Sequence, residues 1–195
     1  MFSGILTLAM SAELLKAQND VSEIARNAYN ISDYKVVTWD VSSRGAVNGD
    51  LDEFKAGVED IYNDPRGWIR AGVKFEYVES GGQLHVVLAS PEEVEAFSPS
   101  GCSTEWSCTV RPYVIINDDR WMGATDSYQQ AGESLLNYRR MVVNHETGHW
   151  LGHDHITTCT DYENWAPIMM QQSIDLRGCK ANPWPTESEL WTSTI

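Results

Sequence analysis

The chain has 195 residues, 42% apolar and 10% aromatic, with 28 acidic side chains against 14 basic ones and a formal net charge of -14. That length fills one core and is short for two. The charge argues against polyanionic partners, so neither nucleic acid nor an anionic lipid surface is expected, although acidity also serves simple solubility.

No apolar run approaches the roughly 20 residues of a membrane helix, so no membrane segment is expected, and the protein reads as a monomer. Two signals on compartment conflict. Four cysteines lean towards an oxidising environment. The opening MFSGILTLAM, however, has neither a basic stretch nor a small-residue cleavage site and makes a poor signal peptide.

In chain order, residues 11–28 place Leu14, Leu15, Val21, Ile24, Ala25 and Ala28 along one helical face, so residues 1–32 read as a helical extension ahead of a domain at 33–195. YKVVTWDV (34–41) reads as a strand. Asp50 and Glu53 stand at capping-box spacing before a helix with Leu51, Phe54, Val58 and Ile61 on one face, which stops at Pro65. VKFEYVES and QLHVVLAS flank Gly81 and Gly82 as a hairpin, and YVIIND (113–118) is a further strand. A second long helix is expected from about Ser134 to Leu151, with Leu135, Tyr138, Val142, His145 and His149 on one face. Thr186 and Glu189 have the spacing of a cap for a last helix.

Four of the five histidines lie within VVNHETGHWLGHDH (142–155). His145 and His149 stand one turn apart on one helical face, so both imidazoles can reach one zinc ion. Glu146 is turned by about 100° from them, out of place as a ligand yet within reach of a water on the metal. Gly152 suits a helix end with positive φ, which would swing His155 back towards the ion. The outcome is H-E-x-x-H-x-x-G-x-x-H, three histidine ligands with one position left open. His153 also stands four residues after His149, but using it needs the helix to run through Gly152, so it is placed beside the site or in solvent. His85, alone in an apolar strand, reads as structural. Glu163, the nearest candidate for a glutamate ligand of another zinc-peptidase class, lies where no helical pattern exists.

This motif, with APIMMQQ (166–172) after it, resembles the metzincins, whose three zinc-binding histidines lie above a methionine-bearing turn, the Met-turn. More narrowly, DPRGW (64–68), INDDRW (116–121) and GCKANPWP (178–185) are similar to a mostly actinobacterial family of small metzincin-type proteins known as a domain of unknown function. The resemblance spans about residues 34–185. It implies an α+β fold: a twisted, mostly parallel sheet with an active-site helix (33–152), then a small irregular subdomain (153–195) bearing the Met-turn. It also implies His145, His149 and His155 as zinc ligands, Glu146 as general base, and Met169 at the Met-turn, with Met170 as the fallback. The sequence departs from the pattern at Asp154, where a small residue is usual, and at Gln171, which removes a tyrosine ligand. In the same layout Cys159 and Cys179 bracket the Met-turn and Cys102 and Cys108 close a small loop, one of three possible pairings.

The implied function is a zinc-dependent endopeptidase acting on protein or peptide substrates, in which Glu146 takes a proton from water and returns it to the leaving amine. YVIIND is the expected edge strand for substrate, and residues 171–177 the expected wall of the pocket past the cleaved bond. A zinc-containing binding module and a zinc amidase acting on cell-wall peptides are the alternatives. Secretion is favoured by the cysteines and the resemblance.

Overall fold

Val36, Val37, Thr38, Trp39 and Val41 form an extended run of β-branched and aromatic side chains, and strand β1 (Lys35–Arg44) forms there. The computed structural model describes residues 33–193, so the helix expected within 1–32 lies outside the described residues. Helix α1 (Leu51–Asn63) starts where the Asp50 carboxylate accepts the Glu53 N–H at 2.9 Å, and it buries Phe54, Val58, Ile61 and Tyr62. A 3-10 turn (Trp68–Ala71) leads into β2 (Val73–Tyr77) and β3 (Leu84–Ala89). Then follow α2 (Pro91–Phe97), β4 (Cys108–Val110), β5 (Tyr113–Asn117), α3 (Asp118–Gly123), α4 (Asp126–Gln130) and α5 (Leu135–Leu151).

The five strands make one sheet in the order β2-β1-β3-β5-β4, parallel except for β4. Alternation along β3 and β5 divides their side chains between two layers. Val86, Leu88, Val114 and Ile116 join α1 and α5 in the main core, whereas Val87, Ala89 and Ile115 pack with Val94 of α2 on the other face. With both faces covered, these strands read as nearly unbroken apolar runs. The result is the mixed α and β architecture expected, with a mostly parallel sheet.

Two expectations fail here. β2 and β3 do not pair as a hairpin. Both run parallel to β1, β2 beside Lys35–Trp39 on one flank and β3 beside Trp39–Arg44 on the other. The link between them crosses β1 at the Trp39 level, where a Cβ on Gly82 would lie 2.8 Å from the backbone of Trp39 and Asp40. Gly82 N–H donates to the Asp40 carboxylate at 2.9 Å, and Val78 N–H to the Trp39 carbonyl at 2.8 Å. Gly82 therefore marks a close backbone approach, while Gly81 takes φ 75 in open space, and together they leave the same trace in sequence as a hairpin turn. Nor is β5 a sheet edge: β3 and β4 flank it, and the three-residue β4 is the edge on that side, with β2 at the other.

After Leu151 the described chain has no helix or strand beyond a 3-10 turn at Glu187–Glu189, closed by the reciprocal Thr186–Glu189 box, where a full helix was expected. Side chains replace the missing ladder. Fully buried Gln172 accepts the Asn182 N–H at 3.0 Å and donates to the Asn182 and Pro167 carbonyls at 2.8 and 3.2 Å. Asn182 in turn donates to the Ala166 and Trp184 carbonyls at 3.0 and 2.7 Å. Both expected disulfides are formed, Cys102–Cys108 and Cys159–Cys179. No helix among the described residues is long and apolar enough to cross a membrane.

Candidate metal centre

Helix α5 has a polar cap at each end. Ser134 Oγ accepts the Asn137 N–H at 3.1 Å. At the other end Gly152 takes φ 100, its N–H donates to the His149 carbonyl at 3.1 Å, and the His153 N–H donates to the Gly148 carbonyl at 3.0 Å. This pair of bonds ends the helix and turns the chain back, as the glycine predicts. Rather than burying one stripe, α5 is buried on every side from Met141 to Gly148, while Leu135 lies at the surface. Four successive polar residues tie it to four regions. Asn144 Nδ2 donates to the Pro183 carbonyl at 2.9 Å, His145 donates to the Met-turn region, Glu146 meets β4, and Thr147 shares a 3.0 Å hydrogen bond with Tyr62 of α1.

His145 Nδ1–H donates to the Ile168 carbonyl at 2.7 Å and His149 Nδ1–H to the His153 carbonyl at 2.8 Å, so each presents Nε2 as the nitrogen with the lone pair. The His149 and His155 Nε2 atoms are 3.0 Å apart, and one ring nitrogen from each of His145, His149 and His155 lies within 4.8 Å of the others. Burial, reinforced by the facing His149, pushes the His145 imidazole down to about 3, against the Ile168 bond. Burial also lowers His149 and His155. Neutral imidazoles with converging nitrogens, two of them with the tautomer fixed by a carbonyl, are the donor set a tetrahedral zinc takes, so these residues fit the ion the motif implies.

His153 stays out of the cluster. It is buried, not solvent-facing: its ring lies against Trp68 and Trp191, and Nε2 donates to the Trp191 carbonyl at 2.8 Å. Its link to the site is the carbonyl that receives His149. His85 pairs with Asp40 at 2.7 Å on the sheet, and Glu163 is exposed with φ 59.

Glu146 is buried, and the Thr109 hydroxyl of β4 lies 2.8 Å from both its carboxylate and its carbonyl oxygen. Burial pushes this carboxyl up to about 7, with the Thr109 bond opposing. Glu146 and the three histidines line one cavity of about 390 Å³, walled by β4 and by Gln171, Gln172, Ser173 and Ile174, the first part of the expected 171–177 wall.

Met169 is fully buried beneath α5, where a Cβ on Gly148 would collide with its sulfur and come within 2.9 Å of Trp68. Met170 faces elsewhere and packs with Ala166 and Cys179. Three residues of this centre escape a reading of the sequence. Thr109 sits in a strand too short to show a period. Gly148 left a signal, since a glycine inside a helix costs about 1 kcal/mol relative to alanine and so implies a packing reason. Glu189 was visible only as half of a cap, yet it also accepts the Ile168 and Met169 N–H groups at 3.0 and 2.8 Å.

No curated protein matches the sequence. A family model does match it, over residues 18–187, a span that holds the histidine cluster, Glu146, Thr109 and both disulfides. The chain thus belongs to the family described as a protein of unknown function (DUF3152).

Proposed function

We propose that the protein is a zinc-dependent endopeptidase of the metzincin type. The observation that carries this reading is a buried carboxylate, Glu146, beside three converging histidine nitrogens but outside the donor set, in the same cavity. Zinc held by His145, His149 and His155 supplies Lewis-acid chemistry, acidifying water and polarising a carbonyl. Glu146 accepts the proton of the attacking water and returns it to the leaving amine. Thr109 orients that carboxylate, and a burial-raised affinity for protons suits a group that must take one up and release it near neutrality. The free edge of β4 receives an extended peptide by strand addition. Residues 171–174 bound the far side of the cleft.

The test is turnover of a peptide library and of muropeptides by zinc-loaded parent, Glu146→Ala and Glu146→Gln, with zinc content measured alongside. Both variants are expected to keep the metal and to lose about 10² to 10⁴ in rate, because neither side chain accepts the proton. Equal turnover in all three removes Glu146 from the mechanism. Cleavage of muropeptides alone redirects the reading to a cell-wall amidase, and no turnover by the parent redirects it to a zinc-containing binding module.

A further inference from the structure

Glu189 is 1% exposed and accepts four hydrogen bonds, all from neutral donors. Oε2 takes Thr186 Oγ1 at 2.6 Å, Thr186 N–H at 2.7 Å and Ile168 N–H at 3.0 Å, which closes the turn and ties it to the segment at Ile168. Oε1 takes only the Met169 N–H, at 2.8 Å. That N–H belongs to the peptide group whose carbonyl, on Ile168, receives His145 Nδ1–H at 2.7 Å. Carboxylate, peptide group and imidazole therefore form one chain of hydrogen bonds.

We propose that Glu189 is a positioning residue of the metal site, acting on His145 through the Ile168–Met169 peptide group. A carboxylate at the N–H end polarises the peptide and makes its carbonyl oxygen a stronger acceptor, since bonds in series reinforce one another in a low-dielectric interior. The stronger acceptor holds the proton on Nδ1, fixes the ring and raises the basicity of Nε2. A carboxylate bonded directly to a ligating histidine does the same, here with one peptide group between. The segment carrying Glu189 also reaches the second histidine, because Trp191 receives the His153 ring while the His153 carbonyl receives His149 Nδ1–H.

The proposal rests on the reading of His145, His149 and His155 as metal ligands, so its test has one readout with zinc and one without. Zinc affinity is measured by chelator competition, and the His145 Nδ1–H resonance is followed by NMR in metal-free protein, for parent, Glu189→Gln and Thr186→Val. Glu189→Gln is expected to bind zinc 10- to 100-fold more weakly and to move the resonance upfield. Thr186→Val, which loses a bond to Oε2 but leaves Oε1 alone, is expected to melt earlier with affinity within about twofold of the parent. An unmoved resonance with parental affinity in folded Glu189→Gln overturns the proposal, and so does an equal loss of affinity in both variants. If Glu189→Gln does not fold, Glu189→Asp, which draws the carboxylate back by one methylene, decides on the resonance: moved supports, unmoved overturns. A parent that takes up no zinc defeats the ligand reading and this proposal together. That is distinct from failure of the relay alone, in which the parent binds zinc and Glu189→Gln binds it equally well.

Discussion

Residues 33–152 and residues 153–193 are held by different forces. In the first, apolar side chains alternate along parallel strands and are covered on both faces by helices, α2 on one side and α1 and α5 on the other. In the second, where only a few apolar residues such as Ile168 and Met169 reach the core, a disulfide, the Gln172–Asn182 exchange and the buried carboxylate of Glu189 hold a chain with almost no regular structure. Apolar burial is strong but non-directional, and it fixes which elements lie together. Hydrogen bonds are weaker but directional, and they fix where single atoms lie. The candidate metal centre sits on the seam. His145 and His149 come from the helix, while His155 and the carbonyls that orient the other two, Ile168 and His153, come from the irregular region. The layered region supplies rigidity and the other supplies aim.

That contrast breaks or sharpens on measurable effects. The largest is expected in the layered core, where Trp39→Ala or Phe54→Ala removes a fully buried ring and costs about 3 to 5 kcal/mol, read as a lower midpoint of one cooperative denaturant transition. A change confined to local opening near residue 39 or 54 would remove the distinction. Next comes the paired change Cys159→Ser with Cys179→Ser, for which loop entropy gives about 3 kcal/mol. Hydrogen exchange should speed up around residues 156–180 while the amides of β1 and β3 stay protected; equal acceleration in both would show a single unit. Gly148→Ala acts on the seam itself. It gains helix propensity yet drives a methyl into the Met169 sulfur, and overpacking of about 1 to 3 kcal/mol should prevail in a thermal melt. A stabilised variant would show that Met169 does not pack there. The smallest is Gly152→Ala, costing about 1 to 2 kcal/mol for a left-handed residue with a Cβ. Because His155 lies beyond that turn, zinc affinity should fall by more than this loss of stability explains.

What was legible in the sequence follows the same division. α1 announces itself because burial of one face imposes a period, β1 by its run of β-branched and aromatic residues, and caps such as Asp50, Ser134 and Gly152 mark where the two long helices begin or end. The three histidines were legible because metal ligands on a helix and past its glycine require fixed offsets. The glycines before β3 misled because a hairpin turn and a close crossing at Gly82 demand the same absence of side chain. Beyond Leu151 the signal fades for a different reason. Gln172, Asn182 and Glu189 bind backbone N–H and carbonyl groups, which every residue offers, so nothing on the partner's side records the contact. The resemblance preferred Met169 to its neighbour Met170, and packing separates the two, Met169 against Gly148 and Met170 against Cys179.

The end-to-end sharing of β1 by β2 and β3 also sets how the polypeptide reaches its native state. Asp40 must find His85, 45 residues away, before β1 has a neighbour on its second flank, and Trp39 must hold the register of both strands at once. Loop closure of this kind is unfavourable until the long-range pairs form, which raises contact order and places folding on a slower timescale than that of helical bundles. During synthesis the central sheet cannot be completed until Asn117 has left the ribosome, and the helix bearing the histidines is made only after every strand of that sheet.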